Sequence, residues 1–131
     1  TQAEAHLAAI TTAANRTADR EVSSRVARFE TQVRALLGSV QDDPRDLTAA
    51  RKYMGIYLKG ARDATEAFAQ LYSRSRSSAA KASFLALLSD LQDSFSAKNQ
   101  QLLLDDRSDL NIEIEVLRER LAREGIRLDK S

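Results

Sequence analysis

Residues 3–37 read AEAHLAAITTAANRTADREVSSRVARFETQVRALL. The apolar positions Leu7, Ile10, Ala14, Ala18, Val22, Val26, Phe29, Val33 and Leu36 are separated by three or four residues throughout. That spacing keeps side chains on one face of an α-helix. Arg16, Arg20, Arg25, Arg28 and Arg34 fall off or beside the stripe. The stretch predicts one continuous helix of about 35 residues, roughly 50 Å long, with Gly38 just past its end.

Working outward, Asp43-Pro44 has the chemistry of a helix start, an acidic N-cap followed by proline in the first turn. Leu47, Ala50, Met54, Tyr57, Leu58, Ala61, Ala64, Phe68 and Leu71 then form a second stripe, which predicts a helix to Tyr72 or Arg74. The polar run Ser73 to Ser78 reads as a turn with a serine N-cap. A third helix follows on Ala80, Phe84, Leu87, Leu88, Leu91 and Phe95, interrupted by Lys98 and Asn99 before Leu102, Leu103 and Leu104. Asp105 to Ser108 breaks the pattern. A last helix is expected from Ser108 or Asp109 to Glu124, on Leu110, Ile114, Leu117 and Leu121, with Gly125 as its stop. Residues 110–116 also alternate like a strand, but the helical spacing continues through Leu121 and a lone strand has no partner. No internal repeat is apparent. The expectation is a single all-α domain over residues 1–131: an elongated antiparallel bundle of three long helices plus a shorter C-terminal helix.

Composition agrees. Apolar residues make up 43% and charged residues 30%, with one Pro, four Gly and no Cys or Trp. Such a chain folds as a soluble helical domain with few connections. Twenty basic against nineteen acidic residues leave a net charge of +1, which argues against a general nucleic-acid binder. Without cysteine there is no disulfide, thiolate metal site or thiol nucleophile. No apolar run has the roughly 20 residues needed to span a bilayer. The chain begins at Thr1 rather than Met, so any membrane tether is expected in a part absent from it, and the location expected is cytoplasmic.

Three groups are candidates for chemistry. Arg51, Lys52, Lys59 and Arg62, with Tyr53 and Tyr57 nearby, could hold an anion or an acidic partner; the same spacing also describes a solvated helix face. Asp105, Asp106 and Asp109 could hold a metal weakly, yet they lack the glycine and distal glutamate of a calcium loop and suit a helix N-terminus. His6, the lone histidine, has no second ligand at helical spacing. No cofactor is implied. Gly55 and Gly60 each weaken a helix interior by about 1 kcal/mol, which suggests a close approach of another helix or a partner. No nucleophile motif, P-loop or paired-histidine motif is present, and Glu115 and Glu119 lack the matching second pair of a helical magnesium site.

The C-terminal run supplies a resemblance. Leu102-Leu103-Leu104-Asp105-Asp106 is followed by Asp109-Leu110, Glu113-Ile114, Val116-Leu117, then Leu121, Glu124 and Gly125. This ending, with Tyr57-Leu58 and Tyr72 before it, resembles the XpaC-like family of bacterial proteins labelled for 5-bromo-4-chloroindolyl phosphate hydrolysis. The resemblance covers about residues 51–125; residues 1–40 carry none. It implies a phosphatase-like label without catalytic residues to carry over, hydrophobic segments near the N-terminus of relatives, and association with helical TelA-like proteins. The expected role is a non-catalytic helical interaction domain; the alternatives are a phosphate-ester hydrolase and an oligomerisation module. The partner expected is a helical protein, with a homo-oligomer as a further option.

Overall fold

The computed structural model describes residues 2–42, 48–104 and 110–123. These form five α-helices: α1 (Gln2–Arg16), α2 (Arg20–Gln41), α3 (Thr48–Ser75), α4 (Ser78–Leu104) and α5 (Leu110–Arg123). No strand occurs among the described residues. The Asp43-Pro44 helix start lies outside them, as do Asp105, Asp106 and Asp109.

The long first helix is corrected. The chain turns back at Thr17-Ala18-Asp19, and α1 and α2 form an antiparallel hairpin. Asn15 Oδ1 accepts from Ser23, Thr11 donates to Glu30 (2.9 Å), and Glu4 pairs with Arg34 (2.5 Å), each step outward from the turn. Ala18, counted on the apolar stripe, is exposed and sits at φ 54°, in the left-handed region. That conformation costs an L-residue about 1–2 kcal/mol. It is held by local bonds: the Thr17 hydroxyl donates to Ala14 O (2.7 Å) and accepts from Asp19 N (3.2 Å), and Asp19 Oδ1 caps α2 at Val22 N (3.1 Å).

α3 and α4 form a second antiparallel hairpin. Phe68 stacks on Phe84 (centroids 4.5 Å apart), and Tyr57, eleven residues earlier, stacks on Phe95, eleven residues later (4.3 Å). Its turn also uses a left-handed residue, Arg76 (φ 49°), followed by Ser77, whose hydroxyl caps α4 at Ala80 N. The two hairpins pack side by side with both turns at one end. His6 meets Arg62 and Thr17 meets Arg76, so α1 runs parallel to α3; Arg25 meets Leu85 and Gln32 meets Ser96, so α2 runs parallel to α4.

Between the hairpins lies one apolar core. Leu7, Ile10, Val22, Val26, Phe29, Tyr57, Leu58, Leu91, Phe95 and Leu121 are almost wholly buried. α5 seats on α3 through Leu121, whose side chain fills the space where a Cβ at Gly60 would stand. Its Arg120 donates to Ser94 on α4. Ser94 lies ten residues before the end of α4 and Arg120 ten residues after the start of α5. If α5 ran along α4 in the same direction, the link from Leu104 to Leu110 would span about 30 Å, more than the roughly 22 Å its six steps can reach. α5 therefore folds back along α4.

Candidate functional site

The basic and aromatic group expected on α3 divides. Arg51 and Lys52 are exposed. Tyr53 and Tyr57 lie in the core, where the Tyr57 hydroxyl donates to the Leu91 carbonyl (2.7 Å). Burial, with Tyr53 adding to it, pushes the Tyr57 phenol well above its ordinary value. Lys59 pairs with Asp63 (2.9 Å) and Arg62 with Glu66 (3.3 Å), each one helical turn away. Arg62 Nη1 also lies 3.3 Å from His6 Nδ1. Burial, then the charges of Arg62 and Lys59, hold the His6 imidazole below its usual value of 6.5. His6 is thus placed to accept from Arg62 as a neutral ring. Of the six residues, Arg51, Lys52, Lys59 and Arg62 reach the surface, whereas Tyr53 and Tyr57 do not.

The two glycines differ. A Cβ at Gly55 would meet nothing within 4 Å, whereas one at Gly60 would overlap Leu121 Cδ1 and lie 3.1 Å from Cδ2. Only Gly60 is required for a close helix contact.

A denser polar constellation, absent from the sequence expectations, sits at the turn end. Asp19 caps α2, accepts from the Tyr72 hydroxyl of α3 (3.0 Å) and pairs with Lys81 of α4 (3.0 Å), which also reaches Glu21 (3.1 Å). The Val22 amide foremost, then Lys81 and Tyr72, hold the Asp19 carboxyl down at about 2 against a reference of 3.8. Arg76 stacks on the Tyr72 ring (4.3 Å) and donates to the Thr17 carbonyl (2.6 Å). The cluster ties the two turns together: every group has a structural partner. Among the described residues no three His, Asp or Glu side chains gather as a metal site.

A second feature faces solvent. An open groove of about 240 Å³ runs between α3 and α4, lined by Ala64, Ala67, Phe68 and Leu71 on one side and Ala80, Ser83, Phe84 and Leu87 on the other. Leu71, placed by its spacing on the core stripe, is 45% exposed here. Around the groove α4 carries little charge: Ala79, Ala82 and Ala86 are its exposed neighbours. The sequence signal for the groove is a short near-repeat, Ala64-Thr-Glu-Ala67-Phe68-Ala-Gln-Leu71 and Ala80-Lys-Ala-Ser83-Phe84-Leu-Ala-Leu87, with alanine, small residue, phenylalanine and leucine at matching positions.

A helical bundle with an interlocked polar end and an open apolar groove defines a class, an all-α domain of paired hairpins. Within that class, the chain belongs to the 5-bromo-4-chloroindolyl phosphate hydrolysis protein family, whose family model matches residues 1–117. The match extends the resemblance to the first hairpin, which had been expected to carry none, and leaves Leu121, Glu124 and Gly125 outside it. No curated protein and no solved structure matches the chain. No described helix is long and apolar enough to cross a membrane.

Proposed function

We propose that this chain is a non-catalytic helical interaction domain that receives a partner helix in the α3–α4 groove. The supporting observation is the groove itself: the stacked Phe68 and Phe84 at its centre, small side chains beside them, the half-exposed Leu71 on its edge, and α5 already seated by a leucine-into-glycine contact on the same pair of helices. Exposed apolar surface of this kind is costly in water and marks contact sites. An amphipathic helix laid in a groove is a recurring solution. In this reading Asp19, Tyr72, Arg76 and Lys81 are scaffold rather than chemistry, and the carrying location is cytoplasmic.

The alternative is hydrolysis of phosphate esters, favoured by the family's description. Monoester hydrolysis is among the slowest uncatalysed reactions and needs a nucleophile or metal-bound water in line with converging positive groups. Asp105, Asp106 and Asp109 are the residues that would hold a metal for it. A colour assay with 5-bromo-4-chloroindolyl phosphate and magnesium, manganese or zinc separates the readings. The expected result is no turnover above buffer. Turnover that follows the protein through purification, and vanishes in a folded Asp105→Ala/Asp106→Ala/Asp109→Ala variant, establishes the hydrolase instead.

A further inference from the structure

We propose that the occupant of the α3–α4 groove is a second copy of this chain, docked face to face about a two-fold axis. The inference rests on the interaction-domain reading and names its partner.

The groove is built symmetrically. Each lining residue of α3 has a counterpart sixteen positions later on α4: Ala64 with Ala80, Ala67 with Ser83, Phe68 with Phe84, Leu71 with Leu87. Because the helices are antiparallel and level at the stacked Phe68–Phe84 pair, these counterparts stand at equal distances on opposite sides of that pair. The relation extends to the next position of each stripe, and there the charges are opposite. Arg74 ends the α3 stripe and Asp90 the α4 stripe. Both are exposed, and neither forms an ion pair among the described residues. Each is six residues from the central phenylalanine, about 9 Å along its helix. One cation and one anion therefore sit at opposite corners of an apolar patch, equally far from its centre.

Such a face is complementary to itself. A two-fold axis in the plane of contact, perpendicular to the Arg74–Asp90 diagonal, places each Arg74 over the Asp90 of the other copy. With helix axes about 10 Å apart, the diagonal tilts about 30° from the helices, so the helices of the two copies cross at roughly 60°. The same operation carries each Leu71 into the other copy's groove, between Ala64 and Leu87. Isologous contacts of this kind close on themselves and stop at a dimer. α5 occupies the groove at Gly60 and Ser94 and leaves the stretch from Ala64 to Leu71 open.

Sedimentation equilibrium of the full chain over a wide concentration range tests this, with circular dichroism to confirm that each variant folds. A concentration-dependent dimer is expected. Leu71→Glu, at an exposed position, leaves a helical monomer. Arg74→Asp or Asp90→Arg alone weakens the dimer by about 2- to 30-fold, the range for two rim ion pairs, and the double charge swap recovers it. A monomer at all concentrations overturns the proposal, as does a dimer indifferent to Leu71→Glu or a double swap no better than the singles. So does a chain that dimerises only once residues 124–131 are removed, since its own C-terminal end then fills the groove. A photo-crosslinker at Ala67 separates this failure from failure of the interaction reading. Attachment to a different, identified helical protein, lost in Leu71→Glu, leaves that reading standing; no attachment to anything removes both.

Discussion

Replacing Asp19 by alanine tests the account of the turn end most directly. Three interactions go at once. The N-cap to Val22 is worth about 1 kcal/mol, within a range of about 0.5–2. The Tyr72 hydroxyl loses its acceptor, about 1 kcal/mol. The Lys81 pair contributes at most about 1 kcal/mol, and Lys81 keeps Glu21 as a partner, so its share is small. The expected loss is about 2–3 kcal/mol, or roughly 10 °C in Tm for a chain of this size. Urea unfolding followed by far-ultraviolet circular dichroism measures it, with an unchanged slope. Asp19→Asn keeps a capping oxygen and should lose less than half as much. The pH dependence gives a second reading. The carboxyl is lowered from 3.8 to about 2 on folding, so its charge-dependent stabilisation is complete above 3.8 and disappears as pH falls through about 2. The gap between the parent and the alanine variant should close over that window. An alanine variant within about 0.5 kcal/mol of the parent at neutral pH would refute the role given to this residue.

Gly55→Ala should stabilise by up to about 1 kcal/mol through helix propensity, whereas Gly60→Ala must displace the buried Leu121 and forfeit that gain by about 1–3 kcal/mol; thermal melts of the pair give the difference. Tyr57→Phe should cost about 1 kcal/mol in urea unfolding, since it leaves the Leu91 carbonyl one bond short without opening a cavity. His6 is held below 6.5 in the folded state, so its contribution is complete above that value and is lost as pH falls through the folded value; His6→Gln should flatten the stability profile there, and an unchanged profile contradicts the Arg62 contact.

Most of the helical pattern was legible in spacing. The ends of α3 and α4, the serine cap of α4 and the burial of Leu58, Phe68, Phe84, Leu91, Leu117 and Leu121 all follow from stripes and turn chemistry. The turn at Thr17-Ala18-Asp19 was not, because its apolar period runs through it unbroken and the left-handed residue is alanine rather than glycine. The one local sign was Asp19 ahead of Glu21 and Val22, a capping residue with an acidic first turn. Leu71 shows the converse limit. Periodicity placed it on an apolar face, but that face is wider than the core it covers, and Leu71 lies on its open edge. Spacing alone does not distinguish a contact role for Arg51, Lys52, Lys59 and Arg62 from a solvated helix face.

The pairing of the helices also bears on how the chain assembles. Within the hairpins the tying contacts join residues 8 to 38 apart, closing outward from each turn. Between hairpins they join residues 53 to 64 apart. Short loops close at lower entropic cost, so the hairpins can form first and dock second. Their meeting faces, Leu7, Ile10, Val26 and Phe29 on one and Tyr57, Leu58, Leu91 and Phe95 on the other, are what each lacks alone. Severing the chain between Asp42 and Thr48 removes no contact described above. Two separately made pieces, each poorly ordered by itself, should therefore recombine on mixing into a complex with one cooperative melt.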